Sequence, residues 1–252
     1  SQAGIAATIF KFMRWRIPYL LTDQSGDSDF FWGSRTFFWR PIFKQIFRRA
    51  SRIQVISNFL GRNARSMDYK GEIDLVPNGV DLDRFTISLG TDLRHKLHQE
   101  LGIEEGDKVL ITTSRLVVKN AIEVVINALA RLKKESEEKP YKERVSYKFI
   151  VIGSGDFEDN LRQIARILKV NDQIIFMGDV DNDLVPRYLA SADVFIRPSR
   201  SEGQGISFIE AMAVGIPVIA TPVGGIPDVL IDQETGLLSG VDDVEDLASK
   251  IE

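Results

Sequence analysis

The sequence predicts an α/β protein made of two doubly wound, Rossmann-like parallel-sheet domains, the first of them partial. Short apolar runs of strand length alternate with periodic stretches of helical length, the pattern of strands joined by helical crossovers. Several of those runs are almost wholly apolar, as when both faces of a sheet are covered. One composition break, "VPNGVDLDRF" at 76–85, is turn chemistry following a strand and divides the series in two.

Before the break, strands are expected over 17–22, 53–57 and 73–76. After it they are expected over 109–113, 147–152, 173–176, 194–197 and 218–221, with helices over 120–134, 157–168 and 207–214. A boundary near residue 78 follows. It gives a partial first domain over 1–78 and a second over 79–252, because free-standing domains more often run to roughly 100–150 residues. The stretch 86–106 is polar and carries both histidines, His95 and His98, on a weak helix expected to be exposed. A second polar insert, "KKESEEKPYKERVS" at 133–146, reads as a solvated connection.

The 252 residues are 44% hydrophobic and 27% charged, ordinary values for a globular protein. A net charge of −4 gives no general attraction to nucleic acid, so none is expected as a partner. With no cysteine there is no disulfide framework, thiolate metal site or thiol nucleophile, which fits a reducing, cytoplasmic compartment. No apolar run is long enough to span a bilayer, and no signal peptide is visible. The chain opens on Ser1 rather than Met, which fits a fragment of a longer protein.

The candidate chemistry lies in loops after strands of the second half, where an open parallel sheet binds its ligands. In "TTSRLVVKN", Arg115 and Lys119 stand four apart where a strand gives way to a helix. Two fixed cations there can neutralise a diphosphate. In "VIGSGDFEDNL", Gly153 and Gly155 open a helix and let a ligand approach the backbone amides. Glu158 stands where a third glycine would complete a dinucleotide fingerprint. In "SEGQGISFIEAMAV", Gly203 and Gly205 precede a helix starting near Ile206. Its first amides, Gly205 to Ser207, have no acceptors within the helix and suit an anion.

Two acids mark that last stretch. Glu210 lies about one turn into the helix, and helical side chains lean toward the N-terminus. Its carboxylate can therefore reach back past a phosphate and accept from the two vicinal hydroxyls of a ribose. Glu202, on the approach side of the loop, can accept from a sugar hydroxyl on the distal phosphate.

The segment "RPSRSEGQGISFIEAMAVGIPVIATPVGGIPDVLIDQETGLL" resembles the nucleotide-binding signature of retaining family-4 glycosyltransferases with the GT-B fold. The family's E-x7-E motif is matched by Glu202 and Glu210. The resemblance runs upstream through "FMGDVDNDLVPRYLASADVFIRPS", "VIGSGDFEDNL", "SRLVVKN" and "VPNGVDLDRF", and through "RIPYLLTD" and "FRRASRIQVIS" near the start.

That resemblance implies transfer of a sugar from a nucleotide-diphosphate donor of the UDP or GDP type to a saccharide or lipid-linked acceptor hydroxyl, with retention at the anomeric carbon and no obligatory metal. Arg115 and Lys119 would stabilise the leaving diphosphate. Glu202 would contact the donor sugar, Glu210 the ribose, and backbone groups near Gly178 and Val180 the nucleobase. The sequence departs from the family at Asn120 and Gln204, and at Asp228, where glutamate is usual. The resemblance further implies that the first half of the N-terminal domain lies outside this sequence, and that the chain alone binds nucleotide but transfers sugar poorly. A GT-B-like nucleotide-sugar epimerase and a non-catalytic nucleotide-binding fragment remain alternatives, while a dehydrogenase lacks its glycine fingerprint.

"FKFMRWRIPYL" and "RTFFWRPIFKQIFRRA" concentrate aromatic and basic residues. Residues 35–49 suit either a helix lying on the inner membrane surface or, in preference, a core-facing helix with snorkelling cations.

Overall fold

The computed structural model describes residues 17–26, 40–86 and 90–252. The chain separates into two compact units. The described part of Ser1–Asn78 groups with Ser201–Gly205 and Val223–Val229; Gly79–Arg200, Ile206–Pro222 and Leu230–Glu252 form the other. Each unit carries one wholly parallel sheet.

The first unit contains β1 (Leu20–Asp23), α1 (Arg40–Arg49), β2 (Arg52–Val55), α2 (Asn58–Ser66) and β3 (Ile73–Leu75), with sheet order β1-β2-β3. The Ser57 hydroxyl accepts from the Leu60 amide and so starts α2. Ile53 and Val55 on β2 pack with Leu60 and Ala64 on α2 and Phe47 on α1. Helix α1 buries Ile46 and Phe47 and leaves Ile42 exposed. A core-facing helix is therefore what the described part of the aromatic segment forms; residues 35–39 and the stretch before Ile17 lie outside the described residues.

The second unit runs α3 (Leu82–Phe85), α4 (Thr91–Glu100), β4 (Lys108–Thr113), α5 (Ile122–Glu138), β5 (Tyr147–Ile152), α6 (Glu158–Ile167), β6 (Ile174–Gly178), α7 (Val185–Ser191), β7 (Val194–Arg197), α8 (Ile206–Val214), β8 (Val218–Ala220), β9 (Leu237–Leu238) and α9 (Val244–Ile251). Its sheet order is β6-β5-β4-β7-β8-β9. Counted within the unit this is the doubly wound 3-2-1-4-5-6 order, which reverses direction between β4 and β7. Helix α5 buries Ile122, Val125, Ile126, Leu129 and Leu132, a helical stripe packed on Phe149 and Val151 of β5. Each such burial contributes about 1.5–3 kcal/mol. Phe195 of β7 and Phe208 of α8 meet edge to face at 5.7 Å.

Three details depart from the sequence reading. Helix α5 continues to Glu138, because Arg131 and Glu135 pair one turn apart at 2.7 Å and the Ser136 hydroxyl donates to the Val145 carbonyl. The polar helix α4 is docked along one face rather than simply solvated. Arg94 pairs with Asp193 at 2.7 Å, and His98 Nε2 hydrogen-bonds the Ser191 carbonyl at 2.8 Å. The two-residue strand β9 is too short to carry any periodicity.

Candidate functional site

A cavity of about 690 Å³ opens in the second unit at the carboxyl ends of β4, β5 and β6. The loop after β4 supplies Ser114, Arg115 and Val117; the loop after β5 supplies Gly153 to Asp156; the loop after β6 supplies Asp179, Val180 and Asn182. Arg84 of α3 and Glu210 of α8 complete the wall. The three strands are neighbours in one parallel sheet, so their outgoing loops are neighbours as well.

Close approach of main chains builds this end of the sheet. The Gly153 amide donates to the Gly178 carbonyl at 2.7 Å, and the Leu116 amide to the Ser154 carbonyl at 2.8 Å. A Cβ on Gly153 would strike the Ser114 carbonyl, and one on Gly155 the main chain of Leu116. Ser154 donates to Asp179 at 2.8 Å across the same rim.

Lys119 sits on a short 3-10 turn, Val118–Asn120, and Arg115 in the loop between β4 and that turn. The buried Asn120 side chain donates to the Arg115 carbonyl at 2.6 Å, tying the turn to that loop. The next residue, Ala121, takes a left-handed φ of 55°, which costs about 1–2 kcal/mol. Arg115 is exposed in the cavity. Lys119, half-buried, sits on the turn itself and does not line the cavity.

Helix α8 begins at the exposed Ile206, and Glu210 lies one turn further on. The buried Arg197, at the end of β7, donates to the Ser207 hydroxyl at 2.7 Å and the Ser199 hydroxyl at 3.1 Å. Its guanidinium also lies 5.2 Å from the Phe208 ring centroid, a favourable cation–π placement. Burial and, less strongly, the charge of Arg115 push its pKa down to about 10, partly offset by Glu210. Burial raises the Glu210 pKa above the ordinary carboxylate value, opposed by the charges of Arg84 and Arg197. Arg84 is itself paired with Asp183 at 3.2 Å. The cavity thus holds an acid flanked by cations, with no group of three or more His, Cys, Asp or Glu suited to a metal among the described residues.

Of the residues singled out in the sequence, Arg115, Gly153, Gly155, Val180 and Glu210 line this one cavity. Gly178 flanks it through its bridge to Gly153. Ile206 and Ser207 form the first turn of the helix that carries Glu210. Glu202, Gly203 and Gly205 group with the first unit. There the Gly203 amide donates to the Glu202 carboxylate at 3.1 Å, the Gly225 amide donates to the Glu202 carbonyl at 3.2 Å, and the Asn78 amide donates to Gln204 Oε1 at 2.8 Å. Sequence reasoning missed Arg84, Arg197 and Asp179. Arg197 had a detectable signal, as a lone cation closing an otherwise apolar strand. Arg84 had none, being an ordinary turn residue in sequence.

Residues 94–252 match the family described as glycosyl transferases group 1, and residues 1–84 match glycosyltransferase family 4. The chain belongs to the group 1 glycosyl transferases. Among curated relatives of this family, the GDP-mannose-dependent α-(1-6)-phosphatidylinositol monomannoside mannosyltransferase of Mycolicibacterium smegmatis is 28% identical, over 84% of this chain and 56% of its own length. The α-monoglucosyldiacylglycerol synthase of Streptococcus pneumoniae is 32% identical, over 61% of this chain and 34% of its own. The chain therefore spans from about a third to just over half the length of these two relatives. In fold, it resembles HepE of Anabaena, solved with UDP-glucose, with a TM-score of 0.83 at 22% identity over 99% of this chain and 65% of that one. It also resembles the sucrose-phosphate synthase of Thermosynechococcus elongatus, with a TM-score of 0.79 at 24% identity over 96% of this chain and 60% of that one. The two Rossmann-like parallel sheets are those of a GT-B glycosyltransferase.

Proposed function

We propose that this chain carries the donor half of a retaining glycosyltransferase. It binds a nucleoside-diphosphate sugar of the UDP or GDP type, whose sugar is passed to an acceptor hydroxyl. The observation that supports the reading best is that Arg115 and Glu210, 95 residues apart in sequence, line one cavity at the carboxyl ends of three parallel strands. In this reading Arg115 and Lys119 meet the diphosphate in place of an obligatory metal. Glu210 accepts from the ribose hydroxyls, and the main chain around Gly178 and Val180 meets the base. The amides from Gly205 to Ser207 meet phosphate, and Glu202 the donor sugar.

The chemistry is electrostatic. As the glycosidic bond breaks, charge grows on the leaving phosphate oxygen, and donors already in place stabilise it without reorganising. One charge-assisted hydrogen bond contributes about 1.5–3 kcal/mol, so loss of either cation should slow transfer ten- to hundredfold or more. A saccharide or lipid-linked acceptor fits the relatives, whose names include a phosphatidylinositol monomannoside and a diacylglycerol product. Such an acceptor would bring the exposed cations of α1, Arg40 and Arg48, to an inner membrane surface, with Ile46 and Phe47 still packed in the core. Calorimetric titration with UDP, GDP and ADP tests the donor site. Binding of one of them, weakened at least tenfold by Arg115→Ala and by Glu210→Gln, supports it. No binding of any overturns it.

A further inference from the structure

Arg200 is held through its side chain by a carbonyl and two carboxylates, and nothing in the proposed reaction uses it. It follows β7, and its contacts converge on the turn that carries Lys119. Its amide donates to the Lys119 carbonyl at 2.8 Å, and one terminal nitrogen donates to the Val118 carbonyl at 2.5 Å. Nε donates to Asp242 at 2.8 Å. The other terminal nitrogen meets Glu123 and Asp242, each at 2.7 Å. Four of the five guanidinium N–H groups can be accounted for in this way, and two carboxylates already face the charge. Little donor capacity remains for a phosphate.

We infer that Arg200 is a positioning residue: it fixes the main chain beneath Lys119 and so sets where that ammonium meets the distal phosphate of the donor. The inference rests on the proposed phosphate role of Lys119. The turn needs such a brace, since it ends on the left-handed Ala121 and passes straight into α5, where Glu123 is one of the two acids that hold Arg200. Asp242 anchors the far side of the guanidinium, in the loop before α9. The planar fork reaches a carbonyl and two carboxylates at once. Lysine keeps the charge but has no fork and cannot span all three.

The test compares the full chain with Lys119→Ala, Arg200→Gln, Arg200→Lys and the Lys119→Ala/Arg200→Gln double variant. Binding of UDP or GDP, whichever is tighter, is measured against the matching nucleoside monophosphate, alongside thermal unfolding. Arg200→Gln is expected to weaken the diphosphate roughly five- to thirtyfold and to leave the monophosphate within about twofold. In the double variant it should add almost nothing to Lys119→Ala, because the two act through one contact. If Arg200→Gln unfolds the chain, Arg200→Lys, which keeps the charge but loses the fork, carries the same expectation. Equal weakening of both ligands, or full additivity in the double variant, overturns the positioning role. Unchanged diphosphate affinity in Lys119→Ala overturns the assignment of Lys119, and this inference with it.

Discussion

Arg197 donates to the Ser207 hydroxyl at 2.7 Å, joining the end of β7 to the first turn of the helix that carries Glu210. A buried guanidinium is an expensive way to make that link. Removing a charge from water costs several kcal/mol before any hydrogen bond is counted, and the fall of its pKa to about 10 expresses that cost.

Arg197→Met should change the thermal midpoint little: it removes the buried charge but leaves the Ser199 and Ser207 hydroxyls without their donor. Nucleotide affinity should fall three- to tenfold, about 1 kcal/mol, as Ser207 loses its anchor and Glu210 a nearby positive charge. Melting curves and calorimetry on one preparation measure both. A large drop in midpoint with unaltered affinity would mark Arg197 as structural only.

The glycines of the cavity should divide by mechanism. Gly153 has φ of 119° and no room for a Cβ beside the Ser114 carbonyl. Gly153→Ala must part the loops after β4 and β5, and should cost about 3 kcal/mol or more along with nucleotide binding. Gly178 has φ of 66° but open space around it. Gly178→Ala should cost only the left-handed backbone, about 1–2 kcal/mol, with binding retained. Denaturant melts of the two variants decide; equal losses would contradict the steric account.

Glu210 gives a pH signature. Its folded pKa is raised, chiefly by burial, so the folded state holds the proton more tightly than the unfolded state does. Stability from this group is present below the unfolded value of 4.5 and is lost as pH rises through the higher folded value. Glu210→Gln removes that loss. The variant should gain in thermal midpoint over the wild type as pH climbs above 4.5, with the gain levelling off once the acid is fully ionised. Its affinity for nucleotide should be lower throughout. A stability difference independent of pH would count against a desolvated carboxylate at this position.

Much of the fold was legible because its signals are local. The apolar strands 147–152 and 194–197 coincide with β5 and β7, and glycines mark the close approach of the β5 and β6 loops. Arg115 and Glu210 were legible as a pair because each lies just beyond a strand or a helix start. The docked face of α4 was not, since Arg94 and His98 look solvated until Asp193 and the Ser191 carbonyl are brought beside them.

The sequence by itself determined the parallel α/β class, the alternation of the main strands and helices, and the family, because hydrophobic period, turn glycines and the acid pair are written within a few tens of residues. Only the tertiary structure decided that Arg84 joins Glu210 in one cavity and that Arg197 braces the start of α8. It alone shows that Arg200 is spent on the turn beneath Lys119 rather than left for a ligand. A cation's role depends on which carbonyls and carboxylates surround it after folding, and those partners come from segments that spacing along the chain does not connect.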